Sequence, residues 1–282
     1  MHGTITYITL LRPRQWLKNM MLYFPPFLGG TLLHPGVWQQ GLLPFAAFAA
    51  VSSSGYILND ILDRSVDQSH PNKKDRPLTS GAVPLPVAWT IAGLLAATSL
   101  VLGSISSSAL VVLLLCYLTI TAAYSVGLKN VPVVDIFCIA TGFLFRLLAG
   151  GSAFGITVSS WLFLSVLLLA LFLSAGKRLS EKQLLADSAV LHRKVLVLYP
   201  AGFLDGVLFM TGSAVLVTYT MYTLTHQRLI YTVPLCCFGL LRYILRVKTG
   251  KGGDPTESLL RDPWLFVVGA AWAVMVGWGI YG

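Results

Sequence analysis

The feature that most limits what this chain can fold into is its series of apolar runs. Each is about twenty residues long, and the short segments between them hold nearly all the charge. A helix of about 20 apolar residues crosses a bilayer, because only an internal hydrogen-bond ladder satisfies its backbone there. Such runs lie at about 16–33, 40–62, 84–103, 108–126, 131–151, 159–177, 203–224, 229–247 and 263–281. Charged residues make up 11% of the chain, where a soluble domain carries roughly 25%. The expectation is an all-α integral membrane bundle of nine transmembrane helices. It should occupy residues 1–282 as a single domain, with no room for a second. Pro25-Pro26 predicts a kink in the first run. No cleavable leader is expected, since Arg12, Arg14 and Lys18 lead directly into that run.

The basic residues set an orientation. Of the 20 Lys and Arg, 18 fall on the N-terminal segment or the even-numbered connections; Arg228 lies on the other side and Arg146 within a run. The positive-inside rule then places the N-terminus in the cytoplasm and the C-terminus outside, in an inner (cytoplasmic) membrane. Ten of the eleven acids lie in or beside the same cytoplasmic segments, with Asp205 set apart. Positive-inside bias does not account for acids at the end of an apolar helix, so they mark a functional site on the cytoplasmic side. The basic residues are spread over short membrane-bounded loops, which argues against nucleic acid as a partner. Cys116, Cys138, Cys236 and Cys237 lie in apolar stretches without CxxC spacing, and the five His show no ligand pairing. Nothing in the pattern excludes a homo-oligomer.

The acids with most chemical content are Asp60, Asp63 and Asp67, at the inner end of the second run. On a helix they share one face, with Asn59 beside Asp63. Carboxylates on one stripe repel unless a cation sits among them. Mg²⁺ takes one or two carboxylates plus substrate phosphate oxygens, so Asn59, Asp60, Asp63 and Asp67 are candidate metal ligands. Lys73, Lys74 and Arg76 follow closely and suit an anion. Carboxylates next to cations point to a metal-bound polyphosphate.

Other segments add candidates. Tyr56 lies one turn before Asp60. Arg14 and Lys18 are spaced to share a helical face, with Trp16 as an interfacial anchor. Tyr124 and Ser125 offer hydroxyls beside Lys129. Asp135 and Arg146 are about three turns apart on one face, about 16 Å along the axis, and Arg146 is too deep to act only as a topology signal. Lys177 and Arg178 end the sixth run; Lys177 is at i, i+4 spacing to Glu181, as Arg178 is to Lys182. Residues 182–194 read as a surface helix or loop, and the glycine-rich stretch 250–255 as a flexible connection.

Asn59-Asp60-Ile61-Leu62-Asp63-Arg64-Ser65-Val66-Asp67, followed by Arg76-Pro77-Leu78 and Gly81, resembles the Asp-rich hallmark of the UbiA superfamily of intramembrane prenyltransferases. That resemblance implies a bundle of nine helices and a Mg²⁺-dependent transferase. In one place the chain departs from the aromatic prenyltransferases, which carry a second Asp-rich motif after span six. Here that place reads Gly176-Lys177-Arg178-Leu179-Ser180-Glu181. With 12–19, His70-Pro71-Asn72-Lys73 and Tyr124-Ser125 to Lys129, the pattern is similar to the decaprenyl-phosphate phosphoribosyltransferase branch. This implies transfer of phosphoribose from phosphoribosyl diphosphate (PRPP) to a polyprenyl phosphate, supplying a lipid-linked pentose for cell-wall synthesis. Charge agrees: an isoprenyl diphosphate carries roughly three negative charges and PRPP roughly five. In this reading Asp60 and Asp63 are catalytic, holding Mg²⁺ with Asn59 and Asp67. Lys18, Lys73 and Arg76 clamp the leaving group. Lys177, Arg178 and Lys129 meet the remaining phosphates, while Tyr56, Tyr124 and Arg146 line the substrates. The rivals are an aromatic prenyltransferase with an isoprenyl diphosphate donor, and a non-enzymatic transporter or lipid-binding scaffold.

Overall fold

The computed structural model describes residues 2–68, 73–185, 194–225 and 227–282. Every regular element among them is helical. The long helices are α3 (Val37–Leu62), α5 (Leu85–Ser106), α6 (Ser108–Val126), α7 (Val134–Phe154), α8 (Ser160–Leu185), α10 (Phe203–Leu224), α11 (Val233–Lys248) and α13 (Pro263–Tyr281). Short helices α1 (His2–Leu11), α2 (Phe24–Leu28), α4 (Arg64–Asp67), α9 (Lys194–Leu198) and α12 (Pro255–Arg261) lie between or before them. Among the described residues eight segments are long and apolar enough to cross a membrane, so this is a multi-pass membrane protein.

The first apolar run takes a different form from the one its composition suggests. Residues Pro13–Tyr23 are a 3₁₀ helix, which passes directly into α2. Pro25-Pro26 therefore does not kink a continuous helix; it opens α2, where missing N–H groups cost little. The segment still runs the length of α3 in the opposite direction. Arg12 meets Asp60, Trp16 Nε1 donates to Ser53 Oγ (3.0 Å), and Tyr23 Oη reaches the Trp38 carbonyl (3.4 Å). At about 2.0 Å per 3₁₀ residue, eleven residues cover ~22 Å, so fewer are needed than in an α-helix. On its other side the segment presses on α7 so tightly that a Cβ on Gly150 would overlap the Leu22 carbonyl.

Each end of the bundle has its own character. Leu22, Phe48, Leu110, Leu114 and Tyr117 pack where the 3₁₀ segment, α3, α6 and α7 meet. Tyr199, Leu204, Phe172, Tyr243 and Val247 form a second cluster nearer the basic end. Asp205, set apart in the sequence, belongs to that end: it pairs with Lys248 (2.6 Å) because both lie where α10 and α11 begin and finish beside one another. At the far end Tyr281 Oη donates to the Phe27 carbonyl (2.9 Å) and accepts from the Leu32 N–H (3.2 Å).

Candidate active site

α3 carries the acidic motif to the basic end and stops there. Its C-cap is Asp63, and α4 resumes at Arg64. The single acidic stripe expected on one helix face therefore divides in two. Asp60, only 3% exposed, takes a two-pronged contact from Arg12 Nη2 (2.5 and 2.7 Å). Arg76 Nη1 bridges Asp60 (2.9 Å) and Asp67 (2.7 Å), and Lys73 approaches Asp67 at 3.4 Å. Asp63 turns the other way, to Lys129 Nζ (2.5 Å) and to the Asn59 amide (3.0 Å). Among the described residues no three His, Cys, Asp or Glu side chains gather around one point. The protein's own cations separate the acids.

Arg12 is a site residue that sequence reasoning missed. Its backbone is left-handed (φ 54°, ψ 56°), uncommon for a residue with a side chain. The following Pro13 disfavours the right-handed helical region for Arg12, and the left-handed turn aims its guanidinium at Asp60 and over the Tyr56 ring (5.3 Å). The signal available was Arg-Pro at the mouth of an apolar run, which reads equally well as topology.

These groups border a cavity of about 610 Å³ at the basic end. Twelve of the thirteen expected site residues line it; the exception is Asp60, which lies behind Arg12 and Arg76. Lys74 and Arg14 are exposed and outside it. The spacing of Arg14 and Lys18 loses its meaning in a 3₁₀ segment, and only Lys18 reaches the cavity. His70, Pro71 and Asn72, and residues 186–193 of the expected surface segment, lie outside the described residues.

Two buried arginines are held by partners from several helices. Arg146 faces the interior, as its depth required, and is clamped there without Asp135. Its Nε donates to Asn19 Oδ1 (2.8 Å), Nη1 to the Gly142 carbonyl (2.8 Å) and Nη2 to Tyr117 Oη (3.0 Å). Arg178, 1% exposed, does not pair along α8 alone: it reaches Asp135 (2.6 Å), Glu181 (2.9 Å) and Tyr124 Oη (3.0 Å). Asp135 also accepts from Tyr199 Oη (2.5 Å), which in turn accepts the Val133 N–H (2.8 Å). Burial, together with that bond to Asp135, pushes the Tyr199 phenol well above its ordinary pKa and keeps it protonated as a donor. Val133 itself has φ 69°, a genuine outlier for a β-branched residue. This network fixes the turn that presents Lys129. Lys177 pairs with Asp254 (3.0 Å) rather than Glu181, and Lys182 donates to the Tyr199 carbonyl (2.6 Å). Residues 250–255 are thus docked on α8 and not a free connection.

Eight cations and three carboxylates line the cavity. Counting Asp60, Asp135 and Asp254 behind the wall, two positive charges remain unmatched. They are Lys18 and Arg146, which have no ion pair among the described residues. Unmatched charge in a half-buried site is stabilised by an anion. The acidic side also suits a hard cation: Asn59 Oδ1 is buried without a hydrogen-bond partner, beside the Asp63 carboxylate. An amide oxygen and carboxylates, with phosphate oxygens from a ligand, are a Mg²⁺ donor set.

A model of the UbiA prenyltransferase family matches residues 23–267. The chain is 33% identical to the decaprenyl-phosphate phosphoribosyltransferase of Mycolicibacterium smegmatis, over 97% of this chain and 92% of the relative. It is 32% identical to the enzyme of that name in Corynebacterium glutamicum, over 97% and 86%. In fold it is similar to a UbiA homologue from Archaeoglobus fulgidus determined with DMAPP and Mg²⁺. The TM-score is 0.74 at 21% identity, covering 98% of this chain and 99% of the other.

Proposed function

This chain belongs to the UbiA prenyltransferase family, and from that premise we propose that it transfers 5-phosphoribose from PRPP to a polyprenyl phosphate, releasing pyrophosphate. The observation that carries this reading is the excess of cations around one cavity, with Lys177 and Arg178 where the aromatic prenyltransferases place a second acidic motif. A donor with two separate phosphate groups and an acceptor with a third need that many cations. The relatives' names agree. The whole chain acts as one transmembrane domain, in the inner membrane, with the cavity on the cytoplasmic side.

Asn59, Asp60, Asp63 and Asp67 are the residues to hold Mg²⁺. When bound, the ion neutralises charge developing on the departing diphosphate. Arg12 and Arg76 already touch both the acids and the cavity wall, so they can turn to diphosphate oxygens without large movement. Lys73 and Lys18 complete that clamp. The bond from the anomeric carbon to the diphosphate oxygen breaks, with the electron pair leaving on pyrophosphate. Positive charge then develops at the sugar, as at other glycosyl centres. An acceptor phosphate oxygen, ionised near pH 7, forms the new bond, so no general base is required. Lys177, Arg178 and Lys129 hold the ribose 5-phosphate and the acceptor phosphate, with Tyr56, Tyr124 and Arg146 shaping the wall between them.

The test is transfer by purified protein in lipid, with PRPP or an isoprenyl diphosphate as labelled donor, in Mg²⁺ or in chelator. Labelled lipid from PRPP alone, lost on chelation, is the expected result. Product from the isoprenyl donor with an aromatic acceptor would reverse the assignment.

A further inference from the structure

The glycine-rich stretch before α12 is held down at several points. The one O–H of Tyr243 is shared between the carbonyls of Gly253 (2.7 Å) and Leu173 on α8 (3.1 Å). A Cβ on Gly253 would stand 2.5 Å from the Gly176 carbonyl oxygen, so only glycine allows this approach. Pro255 lines the cavity. Asp254, between them, has two tasks. One carboxylate oxygen caps α12 through the N–H groups of Thr256 (3.1 Å) and Glu257 (3.2 Å). The other takes Lys177 Nζ at 3.0 Å.

Lys177 lines the cavity together with a second lysine, Lys18. Two ammonium groups lining one cavity repel each other until an anion lies between them. A flexible lysine that must be gathered on binding loses rotamer freedom, which weakens the contact it makes. A carboxylate fixed to a helix cap removes much of that cost. Lys177 has three N–H donors, so a bond to Asp254 leaves others for a phosphate.

We propose that Asp254 is a positioning residue for the donor: from a strap seated on Gly176 it holds Lys177 at the wall of the cavity that Lys18 also lines, ready for the second phosphate group of PRPP. This rests on the donor assignment above.

Asn caps a helix as well as Asp does, so Asp254→Asn keeps α12 and removes only the charge. With full-length protein in lipid, wild type is measured first with PRPP and polyprenyl phosphate. In Asp254→Asn the KM for PRPP is expected to rise roughly 5- to 10-fold, as for loss of one charge-assisted contact made indirectly, while kcat and the KM for the lipid stay within about twofold. In a Lys177→Met background the same substitution should change nothing further, since the two act as one unit. An unchanged KM in Asp254→Asn, equal losses for both substrates, or an undiminished effect without Lys177 would overturn the positioning role. Should Asp254→Asn not fold, Asp254→Ser, which also caps, takes its place. A wild type that uses no PRPP would overturn the donor assignment and this proposal with it. An active wild type with a silent Asp254→Asn overturns this proposal alone.

Discussion

Asp60 and Asp63 belong to one motif but should respond differently to substitution. Asp60 is buried and neutralises two guanidinium groups; Asp63 is half-buried and answers one lysine. Breaking a buried pair by removing one partner costs ~3–5 kcal/mol, because the remaining charge is stranded. Asp60→Asn is therefore expected to lower the melting temperature as well as abolish transfer. Asp63→Asn should fold like wild type and lose about 100-fold or more in kcat, the scale of deleting one electrostatic contact to a developing charge. Melting curves beside turnover decide this, and near wild-type turnover in Asp63→Asn would remove it from the metal set. Lys177→Ala should raise the KM for PRPP more than that for the lipid; equal changes would count against its place on the donor. Local spacing made the acids stand out, since Asn59 to Asp67 fall within about two and a half helical turns. Arg12 and Asp254 were not legible. Their partners lie 48 and 77 positions away, and no periodicity reports a contact across that distance.

At the scale of elements, the joint between α11, α12 and α13 depends on Asp262. It caps α13 through the N–H groups of Trp264 (3.1 Å) and Leu265 (3.3 Å), and pairs with Arg242 (3.1 Å) and, more distantly, Arg246 (3.8 Å). Burial would raise its pKa, but Arg242 and the capping N–H groups outweigh burial and hold it below the ordinary 3.8. A carboxyl whose folded pKa is depressed contributes stability that is fully present above 3.8 and is lost as pH falls below it. Asp262→Asn keeps the cap and removes the charge. At pH 7 its melting temperature should lie about 2–6 °C below wild type, and the gap should close as both are acidified below 3.8. A gap independent of pH would place the effect in packing and not in the carboxylate. The helices themselves were readable from run length. The 3₁₀ form of Pro13–Tyr23 was not, because apolar composition fixes that a segment is buried in lipid or protein, not the rise per residue it adopts.

The whole molecule has a direction. His2–Leu11 packs at the end that holds Asp60 and Leu78, whereas Tyr281 bonds to Phe27 and Leu32 at the other. Among the described residues eight segments qualify as spans by length and composition, and an even number of crossings would return both termini to one side. The 3₁₀ segment and α2 run beside α3 from Asp60 to Trp38, with a combined rise of ~30 Å, close to the ~30 Å apolar thickness of a bilayer. That geometry supports a ninth crossing. If the basic end is inside, as the positive-inside rule predicts, a reporter at the N-terminus should be active only in the cytoplasm and one after Gly282 only outside. A cysteine at Lys74, which is exposed at the basic end, should react with an impermeant maleimide only in inverted vesicles; one at Tyr231, exposed near the other end, should react in intact cells. Both termini on one side would take residues 13–28 out of the membrane. Labelling of Lys74→Cys from outside would put the cavity on the wrong face for a charged donor made in the cytoplasm, and the transfer reaction with it.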